Sequence, residues 1–396
     1  MKSEQTNIFN EPRLQMNQSI ELSIQSLLAY GVKYKHWCVA WSWGKDSTTV
    51  LTLIAWAINS GKINKPETLT VMAADTRLEL TPLWLAAQEI ISELREMGIE
   101  VKTAMAELPN RFLPYILGRG VPPPSNTFRW CTPRIKIEPM QRALEKLVQD
   151  KGEKVLMITG VRQGESAVRD KKISVSCSKD GAECGQGWYQ LTMPESLCDT
   201  LAPIVHWRVC HVWEWLKHWA PLPEYGDFST ALIADAYGGD EAEEINARTG
   251  CIGCPLASKD KALDTIVKMS KYQYLTPLKR LKILYRKLRK GTYRLRKTGL
   301  DEGKKNRQRM GPITMEARRM AFDEVMSIQN DVNEVARKQN RPEIDILNIE
   351  EQEFIMKCWE NNLWPNGWIG DEPLGDVPMD KIYEDGSIQP LIPFNI

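Results

Sequence analysis

The chain has 396 residues, 26% of them charged, and its 52 Lys and Arg against 51 Asp and Glu leave a formal charge of +1. That length suits one elaborated α/β domain or a large domain with a smaller companion, and the near-neutral balance excludes a global pull toward nucleic acid or membrane, so any basic surface has to be local. No apolar run approaches the ~20 residues needed to span a bilayer, and Met1 to Gln15 is polar with acidic residues, which leads to the expectation of a cytoplasmic protein without a membrane role.

In chain order, an opening helix is expected around Ser19 to Tyr30, then a strand at Trp37–Trp41. Ser42-Trp43-Gly44-Lys45-Asp46-Ser47 follows and leads into a helix pattern from Thr48 to Ile58. Small residues let backbone N–H groups approach a polyphosphate, the helix start adds a positive dipole end, and Lys45 adds a full charge. The spacing is not that of a Walker A loop, and a chance Gly-Lys-Ser surface turn is the bland alternative. Thr68–Ala73 reads as a second strand ending at Asp75, followed by an amphipathic helix to Met97 and a strand-like Ile99–Thr103. This β-α-β-α-β order implies a parallel sheet. Ligands of doubly wound sheets sit beyond the carboxyl ends of the strands, where Ser42 to Ser47 and Asp75 both fall. Asp75 is equally a plain loop aspartate or helix cap.

Val121-Pro122-Pro123-Pro124 cannot be helix interior or central strand and delivers the chain to Phe128-Arg129-Trp130-Cys131-Thr132-Pro133-Arg134. A helix to about Gln149 and a buried strand at Val155–Thr159 come next, ending in Gly160-Val161-Arg162-Gln163-Gly164-Glu165-Ser166. Lys171 to Thr200 reads as an inserted loop, Leu201–Trp207 as the next strand and His211–Trp219 as helix. Lys268 to Arg309 then carries sixteen Lys or Arg against Asp301 and Glu302 alone, punctuated by Tyr272, Tyr274, Tyr285 and Tyr293. A mixed cationic and aromatic surface suits a nucleic-acid backbone with occasional base stacking, whereas a solvated helical face is the usual meaning of a charge run. Three regions result: a helical segment over 1–35, a nucleotide-binding domain with the cysteines over 36–265, and a helical, basic region over 266–396.

The nine cysteines, an odd number, favour reduced thiols, metal ligands or sulfur chemistry over a disulfide framework. Cys251 and Cys254 stand at metal-ligand spacing, with Gly250, Gly253 and Pro255 to shape a tight turn. One pair is an incomplete site, and Cys131 is the best-placed partner. An iron–sulfur cluster, zinc, a persulfide and a redox dithiol all remain open at this point.

The Ser42–Ser47 run resembles the PP-loop, Ser-Gly-Gly-Lys-Asp-Ser, of the ATP pyrophosphatase superfamily, except that Trp43 stands where that pattern usually has glycine. Asp75-Thr76, Arg129-x-Cys131-x-x-Arg134, Gly160-Val161-Arg162-x-x-Glu165-Ser166, the Pro203-Ile204 to Trp215 stretch and the late Cys251-x-x-Cys254 follow in family order. Together they look like the phosphoadenylylsulfate and adenylylsulfate reductase superfamily. Its cluster-bearing members use a cysteine pair at the first cysteine motif, whereas Trp130 precedes Cys131 here, so a fourth thiol would come from Cys184, Cys198 or Cys210. The reductases' Glu-Cys-Gly nucleophile lies at the C-terminus, and the only such tripeptide here is Glu183-Cys184-Gly185 in the middle.

The remainder, notably Tyr285-Arg286-Lys287-Leu288-Arg289 and Gly311-Pro312-Ile313-Thr314-Met315-Glu316-Ala317-Arg318-Arg319, resembles the ATP pyrophosphatase of DNA phosphorothioation systems, the DndC or SspD family. That resemblance implies ATP and Mg2+ at Ser42, Gly44, Lys45, Asp46, Ser47, Asp75, Gly160 and Arg162, with catalytic roles for Lys45, Asp46, Cys131 and Arg162. It implies a 4Fe-4S cluster on Cys131, Cys251, Cys254 and Cys210, with zinc or no metal as alternatives. It also implies DNA, a cysteine desulfurase and other phosphorothioation-system proteins as partners, with Arg129, Arg134 and Lys279 to Lys297 toward the DNA backbone. The rival expectations are a nucleotide-sulfate reductase or tRNA thiolation enzyme, and a non-catalytic, nucleotide-gated DNA-binding subunit.

Overall fold

The computed structural model describes residues 14–164, 197–239, 250–299 and 308–391. The chain divides into two compact units, one drawn from Met1–Ala74, Pro82–Ala104 and Met140–Asn246, the other from Asp75–Thr81, Met105–Pro139 and Ala247–Ile396.

The first unit is built on β1 (His36–Trp41), α2 (Lys45–Asn59), β2 (Thr68–Asp75), α3 (Thr81–Glu96), β3 (Glu100–Met105), α4 (Glu138–Lys151), β4 (Val155–Ile158) and β5 (Cys198–Leu201), preceded by α1 (Met16–Ser26). The strands form a five-stranded parallel sheet flanked by helices, in the order β3-β2-β1-β4-β5. Register is explicit at the centre, where Val39 pairs with Val71 on one side and with Ile158 on the other. Central strands buried on both faces should read as nearly continuous apolar runs. His36-Trp37-Cys38-Val39-Ala40-Trp41 and Val155-Leu156-Met157-Ile158 do, whereas β3 at the edge is mostly part-exposed, with Glu100 and Thr103 open to solvent.

After β3 the strand order turns back to the other side of β1, so the switch point lies between β1 and β4. Crevices for ligands form there, outside the carboxyl ends of the strands. Helix α2 follows β1 directly and is buried from Ser47 through Ala57. Each Leu, Ile or Val fully buried along it contributes ~1.5–3 kcal/mol, which anchors its first turn against the sheet. It begins at Lys45, three residues before the expected Thr48, because Gly44 with φ −79° and ψ 162° makes an extended N-cap inside the motif itself. Short α5 (Val209–Glu214) packs beside it, and Trp215 just beyond its end donates from Nε1 to Thr52 Oγ1 at 2.9 Å.

Two expectations are corrected. The strand expected at Leu201–Trp207 is instead Cys198–Leu201, and the run after it turns back on itself, with Val205 N donating to the Ala202 carbonyl and Trp207 N to that of Ile204. Pro203 has no N–H to give a ladder, so apolar character there reflects burial without pairing. In the basic region, Tyr272, Tyr274 and Tyr285 are buried and the Lys287 ammonium sits over the Tyr293 ring at 5.1 Å. Three of the four tyrosines are therefore interior side chains and not an exposed stacking face.

The second unit contains α6 (Lys261–Ile266), α7 (Lys279–Lys287), the antiparallel pair β6 (Arg294–Arg296) and β7 (Met310–Ile313), α8 (Met315–Lys338) and α9 (Ile349–Glu360). Thr314 caps α8 through Ala317 N, and an Asn348/Glu351 capping box starts α9. Arg318 is fully buried in this unit, donating to the carbonyls of Ile313, Gly118 and Leu363 and stacking over Trp364 at 4.2 Å. Burial lowers its pKa to about 10. Among the described residues, no helix is long and apolar enough to cross a membrane.

Candidate functional site

In the first unit the turn Ser42 to Gly44 joins β1 to α2 at the switch point. Ser42 N donates to Ser47 Oγ at 3.2 Å, and that hydroxyl lies 3.1 Å from Ser42 Oγ and donates to the Gly44 carbonyl at 3.1 Å. The Thr48 hydroxyl also donates to Gly44 O at 3.0 Å and accepts from Trp41 Nε1 at 2.9 Å. The serines and Thr48 thus brace the loop from behind. The first amides of α2 have no carbonyl a turn earlier in the helix to bond, which leaves them suited to an anion.

Trp43 carries the strain. Its φ is +63°, a left-handed conformation that costs a residue with a Cβ ~1–2 kcal/mol. The indole is held by burial, only 2% exposed, with its ring 6.3 Å from that of Trp41. Its Nε1 is buried without a hydrogen-bond partner among the described residues. The position is therefore left-handed, as a family glycine would allow, but packing holds it there.

Gly160, just beyond β4, explains how the two strand ends meet. A Cβ there would lie 2.6 Å from the carbonyl carbon and oxygen of Asp46 and 2.7 Å from Ser47 N, so only glycine lets the end of β4 rest on the first turn of α2. Two residues on, the Arg162 guanidinium is almost wholly buried and donates from Nε to Asp46 Oδ1 at 2.6 Å and from Nη1 to the Trp207 carbonyl at 3.3 Å. The other Asp46 oxygen pairs with the Lys45 ammonium at 3.0 Å. Asp46 is thus a carboxylate bridging two cations. Its role is to set their geometry, since a carboxylate does not itself attract phosphate.

Tyr237 completes this site and was not among the residues singled out from sequence. Its hydroxyl accepts from Lys45 N at 3.2 Å, and its ring lies 5.2 Å beneath the Lys45 ammonium. Nothing in Asp235-Ala236-Tyr237-Gly238-Gly239 marks the tyrosine; Gly238 and Gly239, both at positive φ, are the one local signal of a sharp turn there.

The second unit holds the other cluster. Asp75 groups with this unit and accepts from Arg77 N at 2.7 Å, an Asx-type turn that accommodates Arg77 at φ +59°. The Glu79 carboxylate receives Thr76 N and Leu78 N, and the Leu78 carbonyl receives Ile252 N at 2.8 Å. That bond pins the turn between the paired cysteines. Cys254 N donates to Cys251 O at 3.1 Å, Gly253 takes φ +68°, and Gly253 N donates to Asp260 Oδ2 at 3.2 Å. Cys131, Cys251 and Cys254 lie within electrostatic reach of one another, with Lys136 and Glu79 nearby. Burial pushes the Cys251 thiol up to about 11 and raises that of Cys131. At neutral pH the Cys251 and Cys131 sulfurs are thiols, not ready-made thiolates.

Of the proposed fourth ligands, Cys210 is an exposed residue of α5 in the first unit. Cys198 is buried in that unit's core with Cys38, Leu144, Leu147 and Met157. Cys198 and Cys210 thus group with the first unit and the Cys251 turn with the second, and Cys184, like Glu165 and Ser166, lies outside the described residues. Among the described residues no group of three or more His, Cys, Asp or Glu side chains is gathered to hold a metal ion. The described thiols within electrostatic reach of Cys251 are those of Cys131 and Cys254. In the same unit, Arg129 reaches Asn126 from the surface, whereas Arg134 bonds Asn110 and stacks on Tyr115.

Residues 36–220, just under half of the chain, match the family model of the phosphoadenosine phosphosulfate reductase domain. Two proteins of Methanocaldococcus jannaschii, MJ0066 and MJ0973, both described only as uncharacterized, are 27% identical over 178 residues and 25% identical over 252 residues. These alignments cover 45% and 63% of this chain but 30% and 49% of the relatives, so the chain spans less than half of either. A crystal structure of phosphoadenylyl-sulfate reductase from Candida auris in a phosphate complex is 12% identical, covering 52% of this chain and 87% of its own, at a TM-score of 0.31. A likeness that low carries no weight here.

Proposed function

We propose that this PP-loop domain makes the chain an ATP pyrophosphatase, forming AMP and pyrophosphate, that activates a DNA backbone phosphate for replacement of an oxygen by sulfur. The observation that carries the reading is the arrangement of cations at the switch point. There a braced helix N-terminus, the Lys45 ammonium and the buried Arg162 guanidinium come together beyond β1 and β4.

The chemistry follows from those groups. Phosphate oxygens of ATP, with its Mg2+ as part of the substrate, take the first-turn amides of α2, displacing the Tyr237 hydroxyl from Lys45 N. Lys45 and Arg162 then stabilise charge growing on pyrophosphate as the bond to the α-phosphorus breaks. Asp46 keeps both cations from swinging into solvent. Adenylation turns a phosphate oxygen into part of a good leaving group, AMP, and a sulfur nucleophile displaces it. Cys131, Cys251 and Cys254 are assigned the carrying of that sulfur, loaded by a cysteine desulfurase, with other phosphorothioation-system proteins presenting the DNA. No step is routed through an iron–sulfur cluster, and iron, sulfide and zinc analysis after anaerobic purification decides between metal and bare thiols.

The resemblance of Tyr285 to Arg289 and Gly311 to Arg319 to the DNA phosphorothioation family is what supports DNA as the acceptor over a nucleotide sulfate or tRNA. AMP release measured with each acceptor separates these. Lys45→Ala is expected to lower AMP formation on the order of 10²-fold or more. Full activity in that variant would remove the loop from the reaction, and binding of nucleotide without turnover in the wild type would favour a non-catalytic subunit. Co-expression with a desulfurase, followed by mass analysis of digested DNA for sulfur-containing dinucleotides, tests the acceptor directly.

A further inference from the structure

The geometry points to Tyr285, assisted by Lys282, as a positioning residue for a terminal sulfur anion, a persulfide, on Cys251. This rests on the sulfur-carrying reading of the thiols and deepens it.

The turn between Cys251 and Cys254 lies directly on α7. A Cβ at Gly253 would meet Leu281 Cβ at 2.8 Å, Tyr285 Cε2 at 3.1 Å and Lys282 N at 3.4 Å. Tyr285 is 1% exposed and Lys282 8%, and neither the phenol oxygen nor the ammonium has a hydrogen-bond partner among the described residues. Spaced three apart, the two share a helix face. The Tyr285 ring is fixed edge-on to Phe112 at 5.3 Å, and Phe112 stacks at 5.5 Å on Trp130, the residue before Cys131. The Cys251 sulfur is within electrostatic reach of the phenol.

A buried donor without an acceptor is costly, and a charged one more so. Two of them on one helix face, against a turn flanked by cysteines, describe a place suited to an anion. Neither phenol nor ammonium is a ligand for a soft metal, so the acceptor that fits them is a sulfur anion held covalently by the turn. Loading is an exchange: the Cys251 thiolate attacks the outer sulfur of a persulfide or polysulfide donor. A new S–S bond forms at Cys251, the donor's S–S bond breaks, and the shortened donor leaves with the electron pair. The thiol proton goes to solvent. The Tyr285 O–H then donates to the terminal sulfur, and Lys282 balances its charge.

The test uses the full chain treated with sodium tetrasulfide and desalted. Bound sulfur is followed over time by cyanide extraction as thiocyanate and located by peptide mass, in the wild type, Tyr285→Phe, Lys282→Met and Cys251→Ser. The wild type is expected to carry the sulfur on Cys251, and Cys251→Ser to lack it there. Tyr285→Phe should lose it on the order of tenfold faster, as removal of a hydrogen bond to a charged group implies, and Lys282→Met should move the same way. Because the hydroxyl is unpartnered in the unloaded protein, Tyr285→Phe should melt no lower than the wild type, a result a structural hydroxyl would not give. Equal retention in Tyr285→Phe, or a clearly lowered melting point, overturns the role of Tyr285 while leaving the sulfur-carrying reading intact. A wild type that takes no sulfur at Cys251 overturns both.

Discussion

Gly160→Ala places a methyl group where the structure has least room. The new Cβ would stand 2.6 Å from the Asp46 carbonyl carbon and oxygen, about 0.8 Å short of ordinary contact. Those atoms are backbone in the first turn of a helix buried from Ser47 through Ala57, so no side-chain rotation can relieve the clash. Either the end of β4 or the start of α2 has to move. Overpacking of this kind costs ~1–3 kcal/mol of folding stability, and a displacement of roughly 1 Å among reacting groups can cost ~10²-fold in rate. Gly44→Ala, although inside the motif, meets nothing nearer than Tyr237 Oη at 3.4 Å at a φ of −79°, and should cost less than ~1 kcal/mol without ligand. Urea denaturation of the three proteins gives the stability order, and pyrophosphate release from ATP gives the rate. A Gly160→Ala protein as stable as the wild type, or one turning over within about twofold of it, would refute the close approach of β4 and α2 as the basis of the site.

Asp46→Ala should lower stability by ~3–5 kcal/mol, because Arg162 would remain buried with only the Trp207 carbonyl as partner. Asp46→Asn keeps an acceptor and should lose less, and equal denaturation midpoints for the two variants would contradict the account. A pH dependence follows from His211, where Nε2 donates to the Leu14 carbonyl at 3.1 Å and Nδ1 faces Ser19 Oγ and Arg208 N. Burial holds its pKa below the ordinary 6.5, so the unfolded chain takes up the proton first as pH falls. Stability from this group is complete above about pH 6.5 and declines below it toward the folded value. Urea midpoints between pH 7.5 and 5 should show that slope, and His211→Gln should flatten it; an unchanged slope would exclude the ring as its source.

Element order and the nucleotide loop were legible because both depend on near neighbours in the chain. Trp37–Trp41 and Val155–Thr159 are continuous apolar runs, the mark of strands covered on both faces, and Ser42 to Ser47 sits where one of them hands over to a helix. The same reasoning overreached at Leu201–Trp207, where apolar character means burial without pairing. It also misjudged the tyrosines of the basic region, whose rings serve the interior of the second unit.

The sequence by itself determined the α/β class, the loop that begins at Ser42, the arginine after β4 and the spacing of Cys251 and Cys254, since each is a pattern within a few residues. Only the tertiary structure decided that Asp46 bridges Lys45 and Arg162, that Tyr237 lies under the loop, that Cys131 comes within electrostatic reach of Cys251, and that Tyr285 backs the cysteine turn. Those approaches link residues about 30 to 190 positions apart, and chain packing, which no local pattern encodes, is what closes such distances.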